Sequence, residues 1–193
     1  MKYFIIAGEP SGDLHGSNLI RKLFEADPSA EIACWGGDLM SEAGARLMKH
    51  YRETAFMGAW EVIVNFRKVR RNFFLCHRQI DEMRPDVVIL IDYPGFNLRI
   101  ARYARQSGIK VFYYISPKFW AWREGRVEQI RKYVDRLYII FPFETEFFRK
   151  HMYDAVFLGN PLADQVEAWN STAPDRQSII TSLGLDDRPV IAL

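Results

Sequence analysis

Short apolar runs alternate with longer amphipathic segments along most of the chain. The runs are rich in Val, Ile, Phe and Tyr, as expected of strands that are buried on both faces of a sheet. Between the runs, apolar residues recur at helical spacing, so the alternation predicts βαβ units and a doubly wound, mostly parallel α/β sheet. The predicted strands are Tyr3 to Ala7, Glu31 to Trp35, Val87 to Ile91, Lys110 to Ile115, Arg136 to Phe141 and Ala155 to Leu158.

The segments between these runs predict the helices. After Pro161 the pattern weakens into a polar stretch, so we expect one domain over residues 1–165 and a connector over residues 166–193. The chain closes on an apolar half-strand, Pro189 to Leu193, which we interpret as the first strand of a further domain. The predicted helices are Leu14 to Glu25, Trp60 to Met83, Leu98 to Gln106, Arg123 to Val134, Glu144 to His151 and Arg176 to Leu183.

Composition narrows the class of protein. With 193 residues, 49% of them apolar and 26% charged, the chain is of the globular type, and a net charge of +2 does not suggest a general polyanion binder. The two cysteines form no CxxC pair, which favours a reducing compartment. The four histidines show no metal-ligand spacing, so no metal and no cofactor are predicted. There is neither a signal peptide nor a membrane-spanning window, so we expect a cytoplasmic protein, either dissolved or lying on a membrane surface.

A Gly-rich turn follows the first predicted strand. It contains Gly8, Glu9, Ser11, Gly12 and Asp13 and opens a helix. The spacing fits neither the dinucleotide fingerprint nor a P-loop. Two interpretations stay open: a tight turn with Ser11 or Asp13 capping the helix, or a ligand-binding loop at the carboxyl end of the sheet.

An acidic residue ends the most apolar strand. Asp92 follows Val87 to Ile91 and precedes Tyr93-Pro94-Gly95-Phe96-Asn97. A carboxylate at this place faces the ligand crevice of a doubly wound sheet and could act as a general base on a hydroxyl. An Asx turn or a helix cap would need the same residue, and the sequence alone does not separate these interpretations.

Two tryptophans lie in a loop after the fifth strand-like run. Ser116-Pro117-Lys118-Phe119-Trp120-Ala121-Trp122-Arg123 follows Ile115 directly. Indole rings could form a wall around a sugar or acyl group, although core packing explains the residues equally well.

The segment from residue 55 to residue 74 is strongly basic and amphipathic. Its cations lie beside aromatic and aliphatic residues at a spacing of three to four, which is typical of a helix at a membrane interface. A half-buried helix with a solvated basic face is the alternative, and no groove-reading motif favours nucleic acid. The residues concerned are Trp60, Ile63, Phe66, Val69 and Phe73 with Arg67, Lys68, Arg70 and Arg71.

Six stretches, taken in order, resemble lipid A disaccharide synthase. The resemblance covers residues 7 to about 164, and six motifs in order are specific where one would be weak. The family often has Asp at Gly95, Ser-Val at Lys118-Phe119 and His at Asn160. The six stretches are Ala7 to Asp13, Met57-Gly58, Ile91 to Asn97, Ser116 to Arg123, Pro142-Phe143-Glu144 and Gly159-Asn160-Pro161-Leu162.

This resemblance implies the N-terminal, Rossmann-like half of a GT-B glycosyltransferase. The reaction it implies moves 2,3-diacylglucosamine from its UDP ester to 2,3-diacylglucosamine 1-phosphate, with inversion and a β-1,6 linkage, and without a required metal. Asp92 would be the base on the acceptor 6-hydroxyl. The substrate-binding residues would be Gly8, Glu9, Ser11, Gly12, Asp13, Asn97, Ser116, Trp120 and Arg123.

Partners and location follow from the same resemblance. The UDP site would belong to a C-terminal domain beyond this chain, so these residues alone are expected to be inactive. The basic helix would hold the protein on the inner face of the inner membrane of a Gram-negative bacterium, and a homodimer is left open. The alternative is a stand-alone module that binds membrane lipid or a sugar nucleotide.

Overall fold

A computed structural model describes residues 1–54, 66–122 and 124–184. Its centre is a seven-stranded sheet in the order β3-β2-β1-β4-β5-β6-β7, and every neighbouring pair of strands is parallel. The predicted doubly wound α/β fold is therefore confirmed. The strands are β1 (Lys2–Ala7), β2 (Glu31–Gly36), β3 (Arg46–His50), β4 (Val87–Ile91), β5 (Lys110–Tyr114), β6 (Arg136–Ile139) and β7 (Val156–Phe157).

Helices connect the strands and cover both faces of the sheet. Two 3₁₀ turns, Tyr51–Glu53 and Glu124–Arg126, complete the described elements. The helices are α1 (Pro10–Ala26), α2 (Asp38–Glu42), α3 (Phe66–Met83), α4 (Pro94–Gln106), α5 (Phe119–Trp122), α6 (Val127–Tyr133), α7 (Pro142–Lys150), α8 (Pro161–Thr172) and α9 (Arg176–Ser182).

Alternate residues of each central strand enter two separate apolar cores. Along β1, Phe4 and Ile6 pack in the core closed by α3, α4, α6 and α7, whereas Tyr3, Ile5 and Ala7 pack in the core closed by α1 and α2. Because successive side chains of a strand point to opposite faces, a strand covered on both sides needs apolar residues at every position. This requirement explains why β1 and β4 are almost wholly apolar.

Edge strand β3 and helix α8 are among the elements that the sequence patterns missed. β3 lies at the sheet edge and is only half-buried, so its residues, Arg-Leu-Met-Lys-His, do not form an apolar run. Helix α8 occupies Pro161–Thr172, including much of the stretch that was interpreted as a connector. Asn160 caps α8, since its side-chain oxygen accepts a hydrogen bond from the Leu162 N–H at 3.0 Å.

The chain divides into two compact units, Met1–Gly159 and Asn160–Leu193. The first contains the whole seven-stranded sheet, and α8 and α9 are described in the second. The half-strand Pro189 to Leu193 lies outside the described residues. Among the helices of the described ranges, none is long and apolar enough to cross a membrane.

Candidate active site

The ends of β1 and β4 lie side by side at the carboxyl edge of the sheet. Ala7 pairs with Ile91, so the loop that begins at Gly8 and the turn at Asp92 are neighbours. The chain leaves β1 toward the α1 face and β4 toward the α4 face, which makes this edge the topological switch point where doubly wound sheets bind ligands. The sequence prediction of a site at these two loops therefore has the geometry it requires.

The turn at Asp92 has an uncommon backbone conformation. Asp92 and Tyr93 are consecutive residues with positive φ, at 41° and 48°, and Ile115 at the end of the neighbouring strand has φ 66°. For residues other than glycine this conformation costs on the order of 1–2 kcal/mol each. Such residues persist where surrounding contacts fix them, and they cluster at functional sites.

Two buried side chains hold this turn by the main-chain carbonyl of Asp92. The Asn97 amide donates to it at 2.8 Å and to the carbonyl of Ile91 at 3.2 Å, and the Tyr113 hydroxyl donates to it at 2.5 Å. Both Asn97 and Tyr113 are 0% exposed. The structure thus shows Asn97 as a positioning residue for Asp92, and its role as a substrate-binding residue stays a prediction.

Gly8 completes the turn from the β1 side. A Cβ atom built on Gly8 would fall inside the van der Waals contact distance of three ring carbons of Tyr93. The Tyr93 ring therefore lies directly against the Gly8 backbone, and its hydroxyl donates to the Thr54 carbonyl at 3.2 Å. Gly12 allows a similar close approach of α1 to β1, since its Cβ would meet that of Ala7 at 3.1 Å. Both glycines thus serve the packing of the site.

The Asp92 carboxyl is an acid of this edge whose pKa is raised. Burial raises its pKa from the ordinary 3.8 to about 6, and the negative charge of Glu9 raises it further. The Tyr93 N–H and the positive charge of Lys118 oppose the rise, but burial outweighs them. The capping position of α4 belongs to Tyr93 and not to Asp92, and no side chain caps the helix by a hydrogen bond in the described structure. The helix-cap interpretation of Asp92 is wrong, and the carboxyl suits a base that works near neutral pH.

The Gly-rich loop differs in detail from its predicted turn. Helix α1 begins already at Pro10, so Ser11 and Asp13 lie inside it, and the capping position belongs to Glu9. The Ser11 hydroxyl donates to the Glu9 carboxylate at 2.5 Å, and both side chains are exposed. The expectation that Ser11 or Asp13 caps α1 is therefore wrong.

Asp13 serves the fold. It is 3% exposed, and its carboxylate accepts the N–H groups of Gly37, Leu39 and Met40 at 2.7, 3.2 and 3.1 Å. These donors begin α2 and have no partner within that helix, so Asp13 caps α2 from a distance. The structure thus shows a structural role for Asp13, and its contact with substrate stays a prediction.

The loop after β5 brings an aromatic group to the same edge. Trp120 is 41% exposed, so core packing does not explain it, and its ring meets Phe143 edge to face at 5.0 Å between centroids. Ser116 is buried and donates to the Pro117 carbonyl at 3.1 Å. Arg123 lies outside the described residues.

Glu144 is a further acid of this edge to which the sequence analysis assigned no role. It is fully buried and accepts the N–H groups of Ile140 and Phe141 at 3.3 and 3.1 Å at the start of α7. Burial raises its pKa, and the backbone donors, the Trp120 indole and Lys118 oppose the rise. Glu144 therefore links α7 to the Trp120 loop. The motif Pro142-Phe143-Glu144 was its only signal in the sequence.

In the described part of α3, the predicted cations are exposed, whereas one residue of the predicted apolar stripe packs in the core. Arg67, Lys68, Arg70 and Arg71 are all exposed, as predicted. Phe73 is directed inward, with its ring stacked on that of Phe96 at 4.5 Å, so the apolar stripe at this position belongs to the core. Trp60, Ile63 and the side chain of Phe66 lie outside the described residues. Nothing in the described ranges groups three or more side chains that could hold a metal ion.

Two solved structures share this fold. The UDP-GlcNAc 2-epimerase of Neisseria meningitidis, solved with UDP-GlcNAc bound, matches at a TM-score of 0.66 and 11% identity over 97% of this chain and 54% of its own. The MurG structure from Acinetobacter baumannii matches at a TM-score of 0.51 and 10% identity over 83% of this chain and 45% of its own. The fold is therefore that of one Rossmann-like half of a GT-B type enzyme.

Sequence comparison is more specific. The family model described as lipid-A-disaccharide synthetase matches residues 3–193, and the chain belongs to this family of glycosyltransferases. The lipid-A-disaccharide synthase of Geobacter metallireducens is 42% identical over 193 residues, which are 100% of this chain and 49% of that protein. The Coxiella burnetii enzyme is 41% identical over 192 residues, or 98% of this chain and 50% of its own. The chain thus spans about half the length of these relatives.

The amide of Asn97 provides a direct test of the turn. Asn97→Ala removes both donations to backbone carbonyls and leaves a small cavity, so we expect the free energy of unfolding to fall by about 2–3 kcal/mol. We also expect the pKa of Asp92 to move down toward 3.8 as the turn opens to water. Urea denaturation and an NMR titration of the Asp92 carboxyl measure the two effects.

Asn18→Ala is the matched control, because Asn18 is exposed on α1. It should stay within about 0.5 kcal/mol of the unchanged chain. An Asn97→Ala chain with unaltered stability and an unaltered Asp92 titration would contradict the positioning role.

Proposed function

We propose that the protein carrying this chain transfers 2,3-diacylglucosamine from its UDP ester to 2,3-diacylglucosamine 1-phosphate, with inversion and a β-1,6 linkage, in lipid A biosynthesis. The observation that carries the proposal is the Asp92 carboxyl, fixed on its turn at the switch point with a pKa of about 6. Membership of the family supplies the reaction.

In this proposal Asp92 takes the proton from the acceptor 6-hydroxyl. A hydroxyl is a weak nucleophile, so a base within hydrogen-bond reach lowers the barrier as the O–H bond breaks and the glycosidic bond forms. Because burial has already removed much of the water around the carboxylate, its negative charge is poorly solvated before the reaction, which favours its taking up the proton. Ser11, Glu9 and Trp120 line the crevice where the acceptor sugar would lie.

The UDP site belongs, in this proposal, to the half of the relatives that the chain does not match. Attack on the anomeric carbon needs a bound UDP-sugar as well as a base. The residues described here would therefore not turn over substrate by themselves. This division is consistent with a chain that covers 49% of the Geobacter enzyme.

Four exposed cations at the beginning of α3 support a position on an anionic membrane surface. Arg67, Lys68, Arg70 and Arg71 follow one another within five residues, and the Arg70 guanidinium lies 5.3 Å from the centre of the Phe74 ring, which is 60% exposed. Cations beside an exposed aromatic ring suit the boundary between headgroups and acyl chains. An enzyme with acylated substrates would work at such a surface.

The base assignment is tested by Asp92→Asn in the full-length synthase. The amide keeps the shape of the side chain and cannot accept the proton, so we expect kcat to fall by about 10²- to 10⁴-fold while the folded spectrum is unchanged. Asp154→Asn, at an exposed position away from the turn, should keep full turnover. Disaccharide formation from purified substrates measures both, and an Asp92→Asn enzyme with undiminished kcat would refute the assignment.

The pH profile tests the cause of the raised pKa. Only the ionised carboxylate is a base, so kcat/KM should rise as pH increases through about 6 and level off above it. Glu9→Gln removes a negative charge that raises this pKa, so the acid limb should move to lower pH whatever happens to the maximum rate. Glu31→Gln, at the opposite edge of the sheet, should leave the limb in place. If the acid limb of the pH profile stays in place in Glu9→Gln, the electrostatic coupling between Glu9 and Asp92 is ruled out.

Membrane attachment is tested by sedimentation with phosphatidylglycerol vesicles. The triple variant Arg67→Gln, Arg70→Gln and Arg71→Gln should bind roughly 100-fold more weakly, because each basic residue near an anionic surface is worth about 1 kcal/mol. The control variant makes the same change in net charge at exposed sites elsewhere in the fold. If both variants lose binding equally, α3 is not the contact surface. The control replaces Lys22, Lys110 and Lys132 with Gln.

A further inference from the structure

A cavity opens beside the Asp92 turn. Its volume is about 410 Å³, within the range of small-ligand sites, and Tyr93 and Pro94 form part of its wall. Helix α3 supplies Asn72 and Phe73, and the chain around the start of α6 supplies further residues. The cavity therefore lies between the residues that follow Asp92 and two of the helices that cover this face of the sheet, α3 and α6.

The charged side chains of this cavity are cationic in the part of the chain that the structure describes. Among the described residues of its wall, these are Arg99 and Arg126. The Arg99 guanidinium lies over the Phe73 ring at 5.2 Å from the centroid, which holds its charge along the cavity wall. Arg126 is half-buried. Burial raises the pKa of the Tyr113 phenol well above its ordinary value, and the positive charge of Arg126 opposes that rise.

Apolar groups and amides complete the lining. Phe96 is almost fully buried and stacks on Phe73, and Val69 lies on the same helix as Phe73. Asn72 is 4% exposed and Gln129 is exposed, so donors and acceptors are available at two depths. Two guanidinium groups beside an aromatic and aliphatic surface suit a phosphate monoester that is carried by an acylated sugar.

The order of groups in an inverting displacement decides which phosphate fits here. The nucleophile attacks opposite the leaving group, so the base contacts the acceptor, and the departing diphosphate lies on the far side of the donor sugar. A phosphate held in a cavity that adjoins the base therefore belongs to the acceptor. This step rests on the proposed function.

We propose that Arg99 and Arg126 bind the phosphate monoester of the acceptor sugar, with Val69, Phe73 and Phe96 contacting the beginning of an acyl chain. The phosphate then orients the sugar so that its 6-hydroxyl reaches Asp92. Specificity for a phosphorylated acceptor is the consequence, because the unphosphorylated sugar leaves two cationic side chains without their ligand.

The test compares two acceptors in the full-length synthase: diacylglucosamine 1-phosphate and the same sugar without its phosphate. Arg99→Gln and Arg126→Gln should each raise KM for the phosphorylated acceptor by about 10-fold or more, since a charge-assisted hydrogen bond is being lost. KM for the unphosphorylated acceptor and KM for the UDP-sugar should change less than about twofold. Arg99→Lys and Arg126→Lys keep the charge and should recover part of the loss.

Arg102→Gln is the matched control, because Arg102 is exposed on the same helix and does not line the cavity. An equal rise in KM for both acceptors would overturn the proposal, and so would a rise in KM for the donor alone. Thermal unfolding of each variant separates a local effect from loss of the fold.

Direct binding keeps this proposal distinct from the proposed function. If the unmodified synthase forms no disaccharide, the proposed function fails, and titration with glucosamine 1-phosphate then decides the cavity. Saturable binding that Arg99→Gln abolishes supports a phosphosugar site. The phosphosugar site is overturned if glucosamine 1-phosphate does not bind. It is also overturned if only UDP or phosphatidylglycerol vesicles bind in a way that depends on Arg99.

Discussion

The main-chain carbonyl of Asp92 is the point on which the site depends. Two residues in the left-handed region follow a fully buried strand, and their strain is offset by hydrogen bonds from Asn97 and Tyr113 to that one oxygen. Gly8 belongs to the same arrangement, because only a residue without a Cβ lets the Tyr93 ring lie against the β1 loop. The position of the Asp92 carboxylate thus follows from three contacts, none of which involves the carboxylate itself.

The same arrangement explains the acidity of Asp92. A carboxyl at the end of a buried strand loses solvation, and Glu9 adds like charge, whereas the stabilising partners are one backbone N–H and Lys118. Desolvation is the largest of these effects, so the pKa rises. Asp13, only a few residues from Glu9, instead accepts three backbone N–H groups and serves the fold.

Sequence patterns located most of the strands and the acidic residue Asp92, but not the side chains that hold the Asp92 turn in place. Val87–Ile91 was found to the residue because a strand covered on both faces must be apolar throughout. Edge strand β3 escaped because half of its surface is open, which permits lysine and histidine. Tyr113 was read as one more apolar residue of β5, since its hydrogen bond to a residue 21 positions away leaves no local signal.

The limits of the pattern are clearest on α3. Helical spacing places Phe73 in one stripe with Trp60, Ile63 and Phe66, yet spacing alone does not say whether that stripe meets a membrane or a core. The stack of Phe73 on Phe96 shows that the stripe meets the core at this position. The Arg99 guanidinium lies over the same Phe73 ring. Arg99 comes from the next helix, so the combination of an aromatic ring and a guanidinium in one cavity wall arises only from the packing of α3 against α4.

The contacts that fix the base all lie within Met1–Gly159. Gly8, Thr54, Asn97 and Tyr113 belong to this unit, as do the two arginines of the cavity. A base and an acceptor pocket built from one unit do not need a second half to acquire their geometry. In the proposed reaction the second half then brings the donor to a preorganised nucleophile site.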